Sequence, residues 1–367
     1  MMRDKIGWPS HGGEAAPLLL RHGLPRDLPL LDFSANLNPL GSPAWLAEQL
    51  MNALAGVERY PDPTYRRACE AIAEAEGVTP EEVLLTNGGA EAIFLASALH
   101  ARRRAVIVQP TFSEYARACG QYGLSVSSLE LGGEGFELDE REAQRAMAHC
   151  EVLFLCRPNN PTGTLVPQLV VERLLAVGLK HGSTLVIDEA FIDFVVPDER
   201  LTPLLACYPN LVLLRSLTKY YAIPGLRLGY LLGSADNVAC LRELQMPWSV
   251  NHLAASLPPF LLADQEFPAR THRWFGAEQP WLQDRLSAVG LRVVPSRTNF
   301  FLVQPAAGPG GTDFLFEFLL RSGILARHTR NFPGLEGEWL RLALRDSAEN
   351  AQLVSVLKEW QDNRERT

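Results

Sequence analysis

The sequence has no long hydrophobic run and no excess of basic residues, and these two absences exclude several classes of protein. No stretch approaches the roughly 18 consecutive apolar residues of a membrane helix, and the charged segment from Met1 to Trp8 lacks the apolar centre of a signal peptide. The 34 lysines and arginines are outnumbered by 42 aspartates and glutamates, for a net charge of −8. Because no basic block is present to grip a phosphate backbone, we expect a soluble cytoplasmic protein that binds neither membranes nor nucleic acid.

The six cysteines form no C-x-x-C pair and no cluster with histidine, so the spacings typical of disulfide-rich and zinc-binding proteins are missing. Most of them have apolar neighbours in the sequence. We therefore expect reduced, buried cysteines in a cytosolic protein. The eight histidines show no ligand spacing either, and the sequence predicts no metal site.

Short apolar runs alternate with amphipathic stretches between Glu82 and Gly233. This alternation predicts an α/β fold in which helices flank a mostly parallel central sheet. The predicted strands cover residues 83–85, 105–108, 152–156, 185–187 and 211–214, and the predicted helices cover residues 90–99, 113–121 and 167–180.

The pattern changes after Trp248, where the sequence becomes rich in helix and predicts a smaller α+β domain. Its predicted strands cover residues 291–294, 300–303 and 340–344, and its helices cover 313–321 and the stretch from 347 onward. We divide the chain into an N-terminal arm with part of the small domain (1–49), a large domain (50–260) and a small C-terminal domain (261–367).

The segment Ser216-Leu217-Thr218-Lys219 follows an apolar strand and precedes Gly225-Leu226-Arg227-Leu228-Gly229. A lone lysine after a strand is usually a surface residue. Here two hydroxyls and an arginine lie close in sequence, and together they can bind a phosphate. A lysine beside a phosphate site indicates a phosphate-bearing aldehyde held as a Schiff base.

Three further segments lie where strands of the predicted sheet end or helices begin. Asp188 ends a strand at the edge where open α/β sheets bind ligands, and a buried carboxylate there can keep a pyridine nitrogen protonated. Asn160 lies in an Asn-Pro-Thr-Gly turn after another strand. The segment Thr86 to Glu91 opens a helix with two glycines, so free N–H groups are available to an anion.

Together, these four motifs resemble the fold-type I pyridoxal-phosphate enzymes, which are also called the aspartate-aminotransferase superfamily. The resemblance is to the branch of this superfamily that holds the histidinol-phosphate aminotransferases. The resemblance implies pyridoxal 5′-phosphate as the cofactor, Lys219 as the Schiff-base lysine, Asp188 as the partner of the pyridine nitrogen and Asn160 as the ligand of the ring oxygen. The other implied contacts are Ser216, Thr218, Arg227 and the backbone of Gly89 and Ala90 for the cofactor phosphate, and Phe112 for stacking on the ring. Tyr60, in Arg59-Tyr60-Pro61-Asp62, matches a tyrosine that reaches the cofactor phosphate of a neighbouring subunit, which implies a homodimer with shared sites.

Further segments resemble the L-threonine O-3-phosphate decarboxylases of cobalamin biosynthesis more closely than the aminotransferases. The similarity runs along almost the whole chain and implies release of carbon dioxide from L-threonine O-3-phosphate to give (R)-1-amino-2-propanol O-2-phosphate. At position 191 the aminotransferases usually carry a tyrosine, whose hydroxyl donates to the oxygen on the cofactor ring. The phenylalanine found here either removes that donor or is a simple packing substitution. The segments that carry this resemblance are 11–13, 31–41, 188–194, 216–230, 245–251 and 331–335.

A substrate of this kind carries a carboxylate and a phosphate, and the C-terminal part supplies cations. Arg341 matches the arginine that the family uses on the substrate anion, while Arg327 and Arg345 are lesser candidates that structural ion pairs would also explain. The segment His11, Gly12 and Gly13 can offer backbone N–H groups to the substrate phosphate, and Asn36 belongs to the same predicted substrate site. The sequence does not decide which cation binds which anion.

Two other functions stay open at this stage. One scaffold serves both decarboxylation and transamination, so a histidinol-phosphate or related aminotransferase is the alternative enzyme. A regulator that binds the cofactor without catalysis is the other. Regulators of that kind carry a DNA-binding module ahead of the fold, and we expect too few residues there for one.

Overall fold

The computed structural model describes residues 7–365 of the chain, and these residues alternate between strands and helices for most of their length. The strands are β1 (Leu31–Asp32), β2 (Val83–Thr86), β3 (Arg104–Gln109), β4 (Ser125–Glu130), β5 (Val152–Cys156), β6 (Thr184–Asp188), β7 (Leu211–Ser216), β8 (Gly229–Gly233), β9 (Leu291–Val293), β10 (Phe300–Pro305), β11 (Ile324–Leu325), β12 (Arg327–His328) and β13 (Leu340–Ala343). The helices are α1 (Ala15–Arg21), α2 (Leu46–Leu54), α3 (Arg66–Glu76), α4 (Gly88–Leu99), α5 (Glu114–Gln121), α6 (Glu140–His149), α7 (Gln168–His181), α8 (Leu217–Tyr220), α9 (Ala235–Leu244), α10 (His252–Ala255), α11 (Pro258–Ala263), α12 (Glu266–Ala288), α13 (Thr312–Arg321) and α14 (Ser347–Glu365).

The largest sheet has seven strands in the order β2-β8-β7-β6-β5-β3-β4. Neighbouring strands run parallel from β7 to β4, whereas β8 runs antiparallel to both β7 and β2. The predicted α/β fold with a mostly parallel sheet is therefore confirmed. The sequence pattern did not predict β4, because this edge strand exposes most of its side chains and buries only Leu129.

The central strands β5, β6 and β7 form the middle of the core, since nearly all of their side chains are buried. Helices cover both faces of such a sheet, which explains why these strands read as continuous apolar runs. Their register sets Cys156 beside Asp188 and Asp188 beside Leu214. Ser216 ends β7, so the polar residues at the carboxyl ends of three neighbouring strands meet at one edge of the sheet.

A buried cluster of charged residues links the carboxyl ends of the same three strands. Arg157 follows β5 and lies 3.2 Å from Glu189, which follows β6 and lies 2.9 Å from Arg215 on β7. Glu76, at the end of α3, lies 3.5 Å from Arg215 and accepts a hydrogen bond of 2.6 Å from the hydroxyl of Tyr230. The sequence analysis did not find this cluster, because its members are far apart in the chain.

The C-terminal part builds a four-stranded antiparallel sheet in the order β12-β13-β10-β9, covered by long helices such as α12 and α14. Arg327 and Arg341 are direct partners across β12 and β13. Near the N-terminus, β1 pairs in parallel with β11. The proposed domain boundaries stay a prediction; the one at residue 260 falls inside α11, and residues 1–6, 366 and 367 lie outside the described part of the chain.

The cysteines are only partly where the sequence predicts them. Four are buried as expected, but Cys207 and Cys240 are exposed, so the expectation was wrong for these two. Cys207 follows a short 3-10 turn and Cys240 lies on α9, which buries only Val238 and Leu241. No helix within residues 7–365 is long and apolar enough to cross a bilayer.

Candidate active site

A cavity of about 590 Å³ opens at the carboxyl ends of β5, β6 and β7. Strands β12 and β13 and the N-terminal residues 10–12 complete its wall. We call it the active-site cavity. The structure brings together here all of the predicted site residues except Gly13, Tyr60 and the lesser candidate Arg345: His11, Gly12, Asn36, Gly89, Ala90, Phe112, Asn160, Asp188, Ser216, Thr218, Lys219, Arg227, Arg327 and Arg341.

Lys219 reaches the cavity from α8, the single helical turn that follows β7. Its ammonium has no hydrogen-bond partner among the described residues. Burial lowers the pKa of Lys219 to about 8, with Arg341 and Arg227 adding to the shift and Asp188 opposing it. Because a neutral amine is a nucleophile, a substantial fraction of Lys219 is reactive near neutral pH.

Asp188 lies at the end of β6, with both carboxylate oxygens engaged. Oδ2 accepts a hydrogen bond of 2.7 Å from the hydroxyl of Tyr115, and Oδ1 accepts one of 2.9 Å from the backbone N–H of Ala190. Burial raises the pKa of Asp188, while these two hydrogen bonds and the charge of Lys219 oppose that rise. The carboxylate therefore lies in a fixed orientation, suited to bind a protonated ring nitrogen.

Hydroxyls, an arginine and a helix start form an anion site on one side of the cavity. The Ser216 and Thr218 hydroxyl oxygens lie 2.8 Å apart. Helix α4 begins at Gly88, where an added Cβ would lie 2.6 Å from Nη2 of Arg227. Gly88 also has a φ of +75°, a backbone conformation that favours glycine, and a side chain here would push the guanidinium aside. The N–H groups at the start of α4, both hydroxyls and Arg227 together suit a phosphate.

Asn160 and Arg341 meet at the opposite side of the cavity. Nη1 of Arg341 donates to Oδ1 of Asn160 at 2.5 Å, and Nη2 donates to the Ser34 carbonyl at 2.6 Å. Nε of Arg341 is buried without a hydrogen-bond partner in the described structure. Burial lowers the pKa of Arg341 to about 9, and the charge of Arg327 adds to this shift. Since Arg341 occupies the Asn160 oxygen, the amide N–H groups of Asn160 stay available to a ligand.

Arg327 also lines the cavity and is 3% exposed. Its guanidinium donates to the Ser10 carbonyl and to Oδ1 of Asn331, each at 2.7 Å. No described carboxylate lies within ion-pair distance, so the interpretation of Arg327 as a structural ion-pair partner was wrong. Arg345, by contrast, forms an ion pair of 2.9 Å with Glu349 and does not line the cavity.

Residues 8–13, which we call the N-terminal strap, contribute Ser10, His11 and Gly12 to the lining of the cavity. The strap is anchored by Trp8, whose ring lies under the guanidinium of Arg330 at 4.9 Å and against the ring of His328 at 4.5 Å. His11 reaches to 3.4 Å from Glu114 at the start of α5. An added Cβ at Gly12 would collide with the Ser34 carbonyl oxygen.

Like Arg345, the predicted residues Gly13 and Tyr60 do not line the cavity. The backbone N–H of Gly13 donates to the Ser34 hydroxyl at 2.8 Å, so it is not free to bind a substrate anion. Gly13 has a φ of +82°, and this turn directs the N–H toward Ser34. Tyr60 is 80% exposed, and its ring lies 4.7 Å from that of Trp248 on the outer surface.

Two aromatic residues singled out in the sequence lie on different walls of the cavity. Phe112 follows β3, and the centroid of its ring lies 5.9 Å from that of His11. Phe191 is buried and packs edge-on against Phe300 at 5.0 Å. Because Phe300 also lies 5.4 Å below the guanidinium of Arg341, Phe191 supports the wall that carries this arginine.

Sequence analysis missed several residues of the site. Tyr115, Glu114 and Ser34 line the cavity, and Trp8 anchors the strap. Tyr115 and Glu114 lie within three positions of Phe112 at the start of α5, and this closeness in sequence was the available signal. In the part of the chain that the structure describes, no group of three or more histidine, cysteine, aspartate or glutamate side chains is placed to hold a metal ion.

Comparison with known proteins relates the whole chain to one group of enzymes. The family model for class I and II aminotransferases matches residues 29–357. The threonine-phosphate decarboxylase of Salmonella typhimurium is 39% identical over 355 residues, which are 95% of this chain and 96% of that relative. The solved structure of a histidinol-phosphate aminotransferase from Clostridium acetobutylicum has a TM-score of 0.86 at 28% identity, covering 91% of this chain and 100% of that chain. The structure of the L-threonine-O-3-phosphate decarboxylase from Porphyromonas gingivalis has a TM-score of 0.79 at 27% identity, covering 90% and 99%.

Proposed function

Because this chain belongs to the class I and II aminotransferase family, we propose that it is a pyridoxal-phosphate-dependent decarboxylase of L-threonine O-3-phosphate. The reaction breaks the bond between Cα and the carboxylate, releases carbon dioxide and places a proton on Cα. The product is (R)-1-amino-2-propanol O-2-phosphate, which belongs to the aminopropanol arm of cobalamin biosynthesis. The similarity to threonine-phosphate decarboxylase over almost the whole chain supports this choice of reaction.

The residues that line the cavity fit pyridoxal 5′-phosphate in charge and in hydrogen-bonding chemistry. Lys219 would hold the aldehyde, Asp188 the pyridine nitrogen, and Asn160 the ring oxygen through its free amide N–H groups. Ser216, Thr218, Arg227 and the start of α4 at Gly89 and Ala90 would hold the phosphate, and Phe112 would stack on the ring. When bound, this cofactor supplies an electron sink for the electron pair of the broken Cα bond.

The two buried arginines on β12 and β13 are the observation that carries the choice of substrate. Arg327 and Arg341 face the same cavity, are 3% and 5% exposed, and have no carboxylate partner among the described residues. Burial of an unpaired cation is costly, so such a pair is expected where a ligand brings two negative charges. An amino acid that carries both a carboxylate and a phosphate meets this requirement.

The arrangement of these cations determines which bond reacts. By binding the carboxylate and the phosphate of the substrate, these cations would fix which Cα bond is placed for cleavage, and the bound cofactor would supply the electron sink. Arg341 has a fixed position, because Asn160 and Ser34 hold two of its nitrogens. We propose that this fixed position orients the Cα–carboxylate bond for cleavage, and that Nζ of Lys219 then delivers the proton to Cα. His11, Gly12 and Asn36 would complete the binding of the second anion.

A histidinol-phosphate aminotransferase is the second candidate, favoured by the TM-score of 0.86 with such an enzyme. The two functions differ in their products. We would load the purified protein with pyridoxal 5′-phosphate and supply either L-threonine O-3-phosphate alone or histidinol phosphate with 2-oxoglutarate. Aminopropanol phosphate in the first mixture, detected by mass spectrometry, would support the decarboxylase. Glutamate formed only in the second mixture would contradict it.

The lowered pKa of Lys219 predicts how the uptake of cofactor depends on pH. Only the neutral amine reacts with an aldehyde, and with a pKa of about 8 roughly one amine in ten is neutral at pH 7. The rate at which the cofactor-free protein takes up pyridoxal 5′-phosphate should therefore rise about tenfold per pH unit below pH 8 and level off above it. Stopped-flow absorbance measures this rate; a rise that continues to pH 10 would contradict the burial of Lys219.

We also propose that the enzyme is a homodimer in the cytoplasm. Tyr60 and Trp248 form an exposed aromatic pair, and the neighbouring Met246 is 74% exposed. A second copy of the chain that packed against this surface would bury its apolar area. Tyr60 of the first copy would then reach the active-site cavity of the second copy. Sedimentation equilibrium of the wild-type protein and of Trp248→Glu would test this proposal, since the charged variant is expected to shift toward monomer.

A further inference from the structure

Tyr115 connects two of the side chains that frame the proposed cofactor site. It lies near the start of α5, is 1% exposed, and donates from its hydroxyl to Oδ2 of Asp188 at 2.7 Å. Its ring stands edge-on to Phe112, with an interplanar angle of 85° and 6.2 Å between centroids. On the other side it stacks on Phe154 of β5 at 5.9 Å. One buried side chain therefore contacts both the carboxylate and the aromatic ring of the site.

The hydrogen bonds of Asp188 show what the Tyr115 hydroxyl contributes. Each carboxylate oxygen can accept more than one hydrogen bond. With Ala190 donating to Oδ1 and Tyr115 to Oδ2, rotation of the carboxylate is fixed while lone pairs remain for a ligand. The hydroxyl also favours the charged carboxylate, because burial raises the pKa of Asp188 and this hydrogen bond opposes the rise. Without Tyr115, Asp188 would be freer to turn and easier to protonate.

The packing of the tyrosine ring gives the hydroxyl a fixed position. Phe154 lies on the central strand β5, and Phe112 lies in the turn between β3 and α5, so the ring is held from two sides by rigid elements. A side chain with its ring locked in this way loses little entropy when its hydroxyl forms a hydrogen bond. This is the arrangement expected of a residue that orients another residue.

We propose that Tyr115 is a positioning residue for the cofactor, which orients the Asp188 carboxylate toward the pyridine nitrogen and supports Phe112 against the ring. The inference rests on the proposed function, because it requires pyridoxal 5′-phosphate in the active-site cavity. Tyr115 does not touch the reacting atoms. It acts through Asp188, so its removal should weaken cofactor binding only where residue 188 carries a charge.

The test is a titration of cofactor-free protein with pyridoxal 5′-phosphate, followed by absorbance and tryptophan fluorescence. Tyr115→Phe removes one oxygen and keeps the ring; we expect the dissociation constant for the cofactor to rise about tenfold or more, as for loss of a hydrogen bond to a charged group. Tyr122→Phe, at the end of the same helix, is the matched control and should bind like the wild type. Thermal unfolding of each cofactor-free protein reports whether it is folded.

A double-mutant cycle separates orientation of Asp188 from simple packing. In an Asp188→Asn background, Tyr115→Phe should change the dissociation constant by less than about twofold, because the carboxylate through which Tyr115 acts is gone. If Tyr115→Phe weakens cofactor binding by the same factor in both backgrounds, the proposal is overturned. If Tyr115→Phe does not fold, p-aminophenylalanine at position 115 keeps the ring and an N–H donor, and it should bind the cofactor nearly as tightly as the wild type; a tenfold loss there would overturn the proposal.

The same titration distinguishes this inference from the proposed function. A wild-type protein that does not bind pyridoxal 5′-phosphate would contradict the proposed function itself. A wild-type protein that binds it, together with a Tyr115→Phe variant of the same affinity, would contradict only the role of Tyr115.

Discussion

Replacing Lys219 by alanine is expected to lower the turnover of L-threonine O-3-phosphate by about 10³- to 10⁴-fold, the loss typical of a removed proton-transfer group. The variant should also lose the visible absorbance of the bound cofactor, because no other lysine lines the active-site cavity in the described structure. Absorbance spectra of the loaded, desalted protein and a carbon dioxide assay provide the two measurements.

A second lysine serves as the control for this substitution. Lys180 is exposed at the end of α7 and does not line the active-site cavity, so Lys180→Ala should keep both the absorbance and the turnover. Turnover retained by Lys219→Ala would remove Lys219 from the reaction. A lost spectrum with normal turnover would show that the cofactor is not needed.

Replacing Arg341 by methionine is expected to lower kcat/KM by about 10³-fold, which corresponds to about 4 kcal/mol and to the loss of a buried charge partner of the substrate. The stability of the folded protein, by contrast, should not fall. Arg341 is a buried cation whose pKa is lowered to about 9, and such a cation destabilises the empty cavity. The midpoint of thermal unfolding of the cofactor-free variant should therefore be unchanged or higher.

Arg345→Met is the matched control for Arg341, because Arg345 lies four positions further along the chain and pairs with Glu349 outside the cavity. We expect its kcat/KM to stay within about twofold of the wild type, as for loss of a partly exposed ion pair. Steady-state kinetics and differential scanning calorimetry test both variants. If the two arginine variants lose activity equally, Arg341 has no special role in binding the substrate.

Local sequence patterns predicted the centre of the fold well. The strand from Val152 to Cys156 has the predicted bounds, and the neighbouring central strands differ only at their ends. These strands are buried on both faces, so their apolar runs are continuous and easy to recognise. The exposed strand β4 has no such signal. Strand β8 was not predicted either, and neither was its antiparallel direction, since strand direction depends on the path of the chain between strands.

The predicted site residues were found through short motifs, each fixed by one strand end or one helix start. The structure brings Lys219, Asp188 and Asn160 to one cavity because β7, β6 and β5 are neighbours in the sheet. Contacts between distant segments could not be predicted in this way. The hydrogen bond from Tyr115 to Asp188 joins α5 to β6, and the contact of Trp8 with His328 joins the strap to β12 of the C-terminal sheet.

Two wrong expectations have the same physical origin. The backbone N–H of Gly13 was expected to be free, but it donates to Ser34, which lies in a different segment. For Arg327, a candidate for the substrate anion, a structural ion pair was the other explanation, and it was wrong because the guanidinium donates to Ser10 and Asn331 instead of a carboxylate. In both cases the hydrogen-bond partner depends on how the N-terminal strap packs on the rest of the molecule. A single sequence does not contain that information.

The most direct test counts the turnovers that each active site completes when no keto acid is present. Wild-type protein would be loaded with pyridoxal 5′-phosphate and separated from the unbound cofactor. It would then be mixed with L-threonine O-3-phosphate that carries ¹³C in its carboxylate. Our account predicts that labelled carbon dioxide and bicarbonate accumulate to many equivalents per active site. An amino transfer that stops after one equivalent, with the label still in the carboxylate, would contradict it.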